Sequence, residues 1–442
     1  MPRISEKHII NDIAKFDSLL PKYKKLIKRL DKTYPVTDGS QFHKLVNFKT
    51  NETTPKHNWF TYKQGYAEEL VKSIILSEKP IKSKFILDPF CGVGTTNLVA
   101  QTLGYKSIGF DINPVAVLAA KLKTSYFSPN EIELIKKTIK TFKPGQTFQF
   151  AAVPKVVASS FIPKNLDALL RIKFFIENKL SEGKIRDFFL LAYLSIIEDC
   201  SIRVKDGNGL KLSPNKKQIK DVYQYFLSKS DLMLSEIGKS NFKIPADIYN
   251  ASMFAPQVPL KKYESKIGLS IFSPPYANCF DYCEVYKLEF WLGGFVKNYD
   301  GFKYYREMAM RSHVNSGFDH TFKNLNSDVN ITADLISAFN VWNRNIPDMV
   351  RGYFDDTTKL LNKIHPLFTS GAKCYIVVAN SGYRGVLVPT DLLIADIASK
   401  IGYNVVDILS VRKIRASSQQ MLLLHNNYEN LMRESIIILE KK

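Results

Sequence analysis

The chain of 442 residues is 45% hydrophobic and 12% aromatic, enough for one large core with further lobes and too apolar for a disordered chain. Its 62 Lys and Arg against 42 Asp and Glu leave a formal charge of +20, large for an enzyme of small metabolites and suited to a polyanionic partner such as nucleic acid, although a lysine-rich composition from an AT-rich genome gives the same excess. No run of eighteen apolar residues argues for a membrane span, MPRISEKHII lacks the apolar core of a signal peptide, and the five scattered cysteines read as free thiols in a reducing cytoplasm. Cys279 and Cys283 are spaced CxxxC, but no second pair accompanies them, so no metal site is expected.

Residues 1–50 read as a basic helical lead. Ile9, Ile13, Phe16 and Leu20 form an apolar stripe, and Lys22, Lys24, Lys25, Lys28, Arg29 and Lys32 follow as a solvated face or a phosphate contact. In HNWFTYKQGYAEELVKSII, residues 57–75, Trp59, Phe60, Tyr62 and Tyr66 cluster before an amphipathic helix carrying Leu70, Val71 and Ile74. Packing is the default role for such aromatics, yet they precede a glycine loop and can wall a pocket.

That loop lies in FILDPFCGVGTT, residues 85–96. An apolar run stops at Asp88-Pro89, a turn with Gly92 and Gly94 follows, and Thr95-Thr96-Asn97 opens a helix. Strand, glycine turn and helix start let a ligand approach bare backbone at a helix N-terminus. Asp111 ends the next apolar run, where a carboxylate can accept two ribose hydroxyls. The pair predicts a nucleoside-cofactor pocket. Alternating strands and helices over residues 81–124 predict a mostly parallel sheet.

Residues 125–244 break this rhythm. Ser128-Pro129-Asn130 starts a helix, and helical patterns recur at roughly 164–180, 184–202 and 216–238, with a basic loop holding Gly207, Asn208 and Gly209. An inserted helical lobe is expected. The sheet resumes near Asp247 and again over residues 267–272, a buried strand that runs into Ser273-Pro274-Pro275-Tyr276. The following FDYCEVYKLEFWLGGF reads as a covering helix, with Glu284 and Glu289 in structural pairs rather than acid–base work. Residues 296–340 look polar and loop-rich. A helix then runs towards Leu361, a strand spans 374–379, a helix 390–401, and strands at 405–411 and 434–439 form an antiparallel pair at the sheet edge.

Two prolines in succession remove two N–H donors and fix the backbone. Ser273 Oγ, the Pro274 carbonyl and the Tyr276 ring then suit a flat base bearing an exocyclic amine: two acceptors for its hydrogens and a face to stack on. SPPY alone is also an ordinary proline turn. Taken with the loop, the chain resembles the amino-methylating DNA methyltransferases that use S-adenosylmethionine and make N4-methylcytosine or N6-methyladenine. DPFCGVGTT resembles their cofactor loop, GFDINP the ribose-binding strand end, YNAS the adenine-side turn and SPPY the catalytic loop. WFTYKQGYAEEL looks like the segment that closes over the methionine end. A dehydrogenase is the natural rival, but DPFCGVGTT is not GxGxxG and no nicotinamide site is evident.

The resemblance implies an α/β, Rossmann-like methyltransferase fold: a mostly parallel twisted sheet with an antiparallel edge and an inserted helical lobe. It divides the chain into a basic helical N-terminal segment (1–50), a catalytic domain (51–124, 245–295 and 365–442), the lobe (125–244) and a second insertion (296–364) for target recognition. Cofactor binding is expected at Tyr62, Tyr66, Asp88, Phe90, Cys91, Gly92, Gly94, Thr95, Thr96, Asp111, Ile112, Asn250 and Ala251, with Asn250 standing where many relatives have Asp. Catalysis is expected at Ser273, Pro274, Pro275 and Tyr276. Acceptance of the amine hydrogens would turn nitrogen towards sp³ and free its lone pair for in-line attack on the methyl group. No Pro-Cys pair exists for C5-cytosine chemistry. Ser in the first position resembles the N4-cytosine branch; adenine N6, an RNA base and a non-catalytic nucleic-acid-binding subunit are the alternatives. The expected partners are duplex DNA with its target base flipped out and a cognate restriction endonuclease, in the cytoplasm. Residues 203–217 and 299–315, with Arg306 and Arg311, are candidate DNA readers, and Arg412, Lys413 and Arg415 candidate phosphate contacts.

Overall fold

A computed structural model describes residues 10–146, 153–206, 209–238, 242–255, 259–414, 428 and 431–442. Ile9, Gly207, Asn208 and Arg415 lie outside the described residues. Helix Ile13–Thr33 begins at Asp12, whose side chain accepts from the Lys15 N–H. Its buried face is Tyr23, Leu26, Ile27 and Leu30, whereas Ile13 is exposed. The apolar stripe therefore lies further along the helix than its first turn suggested. The chain then adds a short strand, β1 (Val36–Asp38), to the main sheet.

The strands that follow are β2 (Phe85–Asp88), β3 (Lys106–Asp111), the hairpin β4 (Arg203–Asp206) and β5 (Gly209–Leu212), β6 (Ala246–Asn250) and β7 (Ile267–Phe272). Next come β8 (Phe368–Ala379), the short pair β9 (Ser381–Tyr383) and β10 (Val386–Val388), β11 (Tyr403–Lys413) and β12 (Arg433–Lys441). The main sheet runs β1-β11-β12-β8-β7-β2-β3-β6. It is parallel except at β12, which pairs antiparallel with both β8 and β11. Antiparallel pairing thus lies towards one edge, and β1 closes that edge.

Both faces of the sheet are covered, so its strands are apolar on both sides. Leu87, Ile108, Ile376 and Ile437 face a core shared with helices Ile13–Thr33, Ser327–Ser337, Ile346–Ile364 and Thr390–Ile401. Ile86, Ile271, Val377 and Ile436 face helices Glu68–Glu78 and Thr95–Thr102. Alternate residues of one strand go to opposite layers, as the pleat requires.

A separate core joins helices Pro163–Lys179, Lys184–Cys200 and Val222–Ile237 to Pro114–Thr124 and Lys287–Gly293. Helix Pro129–Lys140 starts in a capping box: Ser128 accepts from the Glu131 N–H, and the Glu131 carboxylate accepts from the Ser128 N–H. The basic stretch expected as a loop contains the β4–β5 hairpin. The stretch 296–340 is less loop-like than its polarity suggests. It holds helices Tyr299–Met308 and Ser327–Ser337, each capped by an Asn, with Phe302 the buried anchor of the first. Among the described residues, no helix is long and apolar enough to cross a membrane.

The sheet order has one consequence for function. From β2 the chain moves outward through β3 to β6, then returns to the opposite side of β2 as β7. The C-terminal ends of β2 and β7 therefore flank the point where strand order reverses, the place where open α/β sheets bind ligands.

Candidate active site

Asp88 ends β2 and is 1% exposed. One carboxylate oxygen accepts from the Phe90 N–H at 3.0 Å and the other from the Tyr66 hydroxyl at 3.1 Å. The same hydroxyl lies 2.5 Å from Thr96 Oγ1 and 3.3 Å from the Ile271 carbonyl of β7. Burial pushes Asp88 up to about 7, against the pull of these hydrogen bonds.

The loop after Asp88 turns through Gly92 (φ +48°) and Gly94 (φ +79°), backbone that favours glycine. Gly94 sits directly on helix Pro114–Thr124: a Cβ there would lie 2.8 Å from Ala120 Cβ. Asp111, ending β3, ties the loop down. Its Oδ2 accepts from the Gly92 N–H at 2.9 Å and its Oδ1 from the Asn113 N–H at 2.8 Å. Burial raises Asp111 to about 6.

A cleft opens over these groups. Tyr62, Tyr66, Asp88, Phe90, Cys91, Gly92, Thr95, Asp111, Ile112 and Ala251 line it. Thr96 and Gly94 stand behind the lining, one bonded to Tyr66 and the other against Ala120. Asn250 is also outside it. Its amide donates to the carbonyls of Asp111 at 3.1 Å and Ile112 at 3.2 Å, a pairing open to Asn and closed to Asp. Next to it, Ala251, Ser252, Met253 and Phe254 supply the wall.

Ser273 and Pro275 complete the cleft from β7. A second cleft, about 1020 Å³, lies on the other side of the proline turn, lined by Ser273, Pro274 and Tyr276 with Phe280, Lys63, Lys205, Arg412 and Glu434. The two clefts share Gln64, Gly65, Tyr66, Ser273 and Tyr282. The structure thus separates the expected catalytic four: Pro275 faces only the first cleft, Pro274 and Tyr276 only the second, and Ser273 both. Tyr276 Oη lies 3.4 Å from Ser273 Oγ and donates to Glu434 Oε1 at 2.6 Å. Burial and the Glu434 charge hold the Tyr276 phenol well above its usual value.

Several lining residues come from segments to which the sequence assigns other roles, the covering helix after Tyr276 and the stretch 299–315. Tyr282 and Tyr286 stack on Tyr62, with ring centroids 6.4 and 5.3 Å away. Their spacing of four, one helical turn, was an available signal. Tyr305 and Met308 of helix Tyr299–Met308, and Met310 and His313 just after it, line the first cleft, and Glu434 enters the second from β12; nothing local marked Glu434. Of the proposed DNA readers, Arg306 pairs with Asp281 and Glu284, and Arg311 with Asp355 and Asp356. Glu284 and Glu289 are in ion pairs, Glu289 with Lys205. All five cysteines are buried free thiols.

The first cleft fits S-adenosylmethionine in its donor set. Asp111 is an acceptor for a ribose diol, the apolar turn from Ala251 to Phe254 suits an adenine, and bare loop backbone at Gly92 leaves room for the chain between them. A DNA methylase family model matches residues 8–122. Type II methyltransferase M.BsoBI of Geobacillus stearothermophilus is 26% identical, over 90% of this chain and 88% of that protein. Type II methyltransferase M.AvaI of Nostoc sp. (strain PCC 7120) is 23% identical over 92% of each. Type II methyltransferase M.HinfI of Haemophilus influenzae is 34% identical over 102 residues, 23% of this chain and 28% of that protein. Relatives of near full length, a DNA methylase model over the first part of the chain and a nucleoside cleft that meets an SPPY turn at the sheet's reversal point together support an amino-methyltransferase of the N4-cytosine/N6-adenine family, with S-adenosylmethionine as its methyl donor.

Proposed function

We propose that this chain methylates the exocyclic amine of a base flipped out of duplex DNA, with cytosine N4 as the target, as the modification partner of a restriction endonuclease. The observation that carries the reading is the position of Ser273. It lines both clefts, so an amine held at its Oγ stands where donor and acceptor sites meet. The second cleft has the character a flipped nucleotide needs: Tyr276, Phe280 and Tyr282 for stacking, and Lys63, Lys205 and Arg412 for negative charge. The net charge of +20 and the names of the relatives, all type II methyltransferases, support DNA as substrate.

In this reading the bound S-adenosylmethionine supplies an electrophilic methyl group on sulfur. Asp111 orients the ribose, and Asp88 and Tyr66 brace the loop beneath. Ser273 Oγ and the Pro274 carbonyl accept the two amine hydrogens, and Tyr276 sets the plane of the base. Orientation in a cleft walled from water supplies most of the catalysis. Serine at the head of the motif favours cytosine N4. Lys205 reaches the second cleft from the β4–β5 hairpin, while Arg306 and Arg311 are already paired. Lys205 is itself paired with Glu289 and Glu198, so pairing favours neither the helical lobe nor residues 299–315 as the DNA contact.

The test is transfer of label from methyl-labelled S-adenosylmethionine to duplex DNA, followed by digestion. N4-methylcytosine is expected. N6-methyladenine would overturn the base assignment, and label in RNA alone would overturn the substrate. Ser273→Ala should abolish transfer; full activity would remove Ser273 from the site.

A further inference from the structure

The serine that opens the motif is a neutral hydroxyl, a weak acceptor for an amine proton and a poor base. In the fold it does not stand alone. Ser273 Oγ is 3.4 Å from Tyr276 Oη, which is 2.6 Å from Glu434 Oε1. The other Glu434 oxygen accepts from Arg412 Nε. Glu434 is 3% exposed on β12, yet it and Arg412 line the second cleft. A buried carboxylate is therefore connected to the serine by one hydroxyl, with a cation on its far side and an opening to solvent. We propose that Glu434 is the terminal proton acceptor of methyl transfer, reached from the target amine through the hydroxyls of Ser273 and Tyr276.

This rests on Ser273 holding the amine. As the amine nitrogen bonds to the methyl carbon, the carbon–sulfur bond breaks and its electron pair stays on sulfur. The surplus proton on nitrogen passes to Ser273 Oγ. The Ser273 proton passes to Tyr276 Oη, and the Tyr276 proton to Glu434 Oε1. A sulfonium and a carboxylate are consumed; a neutral thioether, a neutral methylamine and a carboxylic acid are formed. Both hydroxyls end as they began, and Glu434 returns its proton to water through the second cleft. Before transfer the same line polarises Ser273 Oγ, so that the negative charge of Glu434 makes the serine a stronger acceptor. The 3.4 Å step shortens as the amine bonds to Ser273, as catalytic hydrogen bonds do on substrate binding. The high pKa of Tyr276 keeps the phenol protonated, as a relay requires. The charged and titratable groups facing Glu434 are Arg412 from β11 and Tyr276 from the turn after β7, with Lys63, Lys205 and Tyr282 in the same cleft.

A purely structural role for Glu434, anchoring the Tyr276 ring, gives different results. Tyr276→Phe keeps the stacking ring and removes only the relay. The experiment measures the single-turnover rate of the full chain on duplex DNA with one target, in water and in deuterium oxide. Affinity for the same duplex carrying 2-aminopurine at the target, and melting temperature, are measured alongside. Tyr276→Phe and Glu434→Gln should each slow transfer by about 10²-fold, the size of a general-base contribution. They should lose the solvent isotope effect and keep both affinity and melting temperature. Should Glu434→Gln melt early, Tyr276→Phe alone carries the test. A Tyr276→Phe variant with the wild-type rate and isotope effect would overturn the relay. Ser273→Ala separates the two levels: if it too transfers at the wild-type rate, the site reading fails; if it alone is inactive, only the relay fails.

Discussion

The backbone N–H of Gly92 donates a 2.9 Å hydrogen bond to Oδ2 of Asp111. The glycine loop and Asp111 are thereby one unit. Asp111 holds the loop in its left-handed turn, and in the proposed function it also receives the ribose, so the loop cannot relax without moving the acid.

The two loop glycines should respond differently to alanine. At Gly92 a Cβ would meet only the Tyr62 ring edge, at 3.1 Å, and the ring can tilt. At Gly94 it would meet Ala120 Cβ at 2.8 Å and Ala120 Cα at 2.9 Å, a helix backbone that cannot. Both carry the cost of a left-handed residue, about 1–3 kcal/mol. Gly92→Ala should fold and bind S-adenosylmethionine weakly. Gly94→Ala should lose that amount and more by urea denaturation. Equal stabilities would show that the helix yields.

Cofactor affinity should depend on pH in a window above the usual carboxylate range. Burial raises Asp111 to about 6, so it is charged above that pH and neutral below. The charged form is the better acceptor for ribose hydroxyls, so affinity should fall as pH drops through about 6. The effect on folding has the opposite sign. Between the ordinary aspartate value of 3.8 and about 6 the folded state holds the proton more tightly, so Asp111 contributes stability that is lost as pH rises through this window. Calorimetric titration of wild type and Asp111→Asn from pH 5 to pH 8 checks the first claim; the variant should show a flatter profile. Urea titration of the cofactor-free pair checks the second: the stability of wild type relative to the variant should fall with rising pH.

Tyr66→Phe removes one hydroxyl that serves Asp88, Thr96 and the Ile271 carbonyl. Leaving buried polar groups short of a partner costs about 1–3 kcal/mol. The loss should appear in denaturation of the cofactor-free chain. No loss would indicate that water takes the place of the hydroxyl.

Glu289→Ala tests the join between the β4–β5 hairpin and the helix behind the proline turn. The Lys205 and Glu289 side chains form an ion pair, 5% and 1% exposed, with Glu198 3.5 Å from the same ammonium. Removing one partner of a buried pair typically costs about 3–5 kcal/mol. The loss should fall towards the lower figure because Glu198 remains. Glu289→Gln, which keeps a hydrogen-bond acceptor, should cost less. Since Lys205 lines the second cleft, affinity for duplex DNA should fall together with stability.

The parallel sheet, the glycine loop, Asp111 and the proline turn were legible in the sequence because each is set by constraints within a few residues. Gly92 and Gly94 carry positive φ, Asp88 and Asp111 end apolar runs, and two prolines forbid a continued strand. The likeness of four such pieces to one enzyme family then named the donor and the reaction. What the pieces form together was decided only in three dimensions. That Ser273 lies between two clefts follows from β7 pairing beside β2, across 178 intervening residues that hold β3, the helical lobe and β6. That Asn250 turns back to the backbone, that Met310 and His313 line the first cleft and that Glu434 meets Tyr276 follow from tertiary packing. A pairing between side chains 158 residues apart leaves no periodicity and no motif in either segment, because neither meets the other until the sheet has closed.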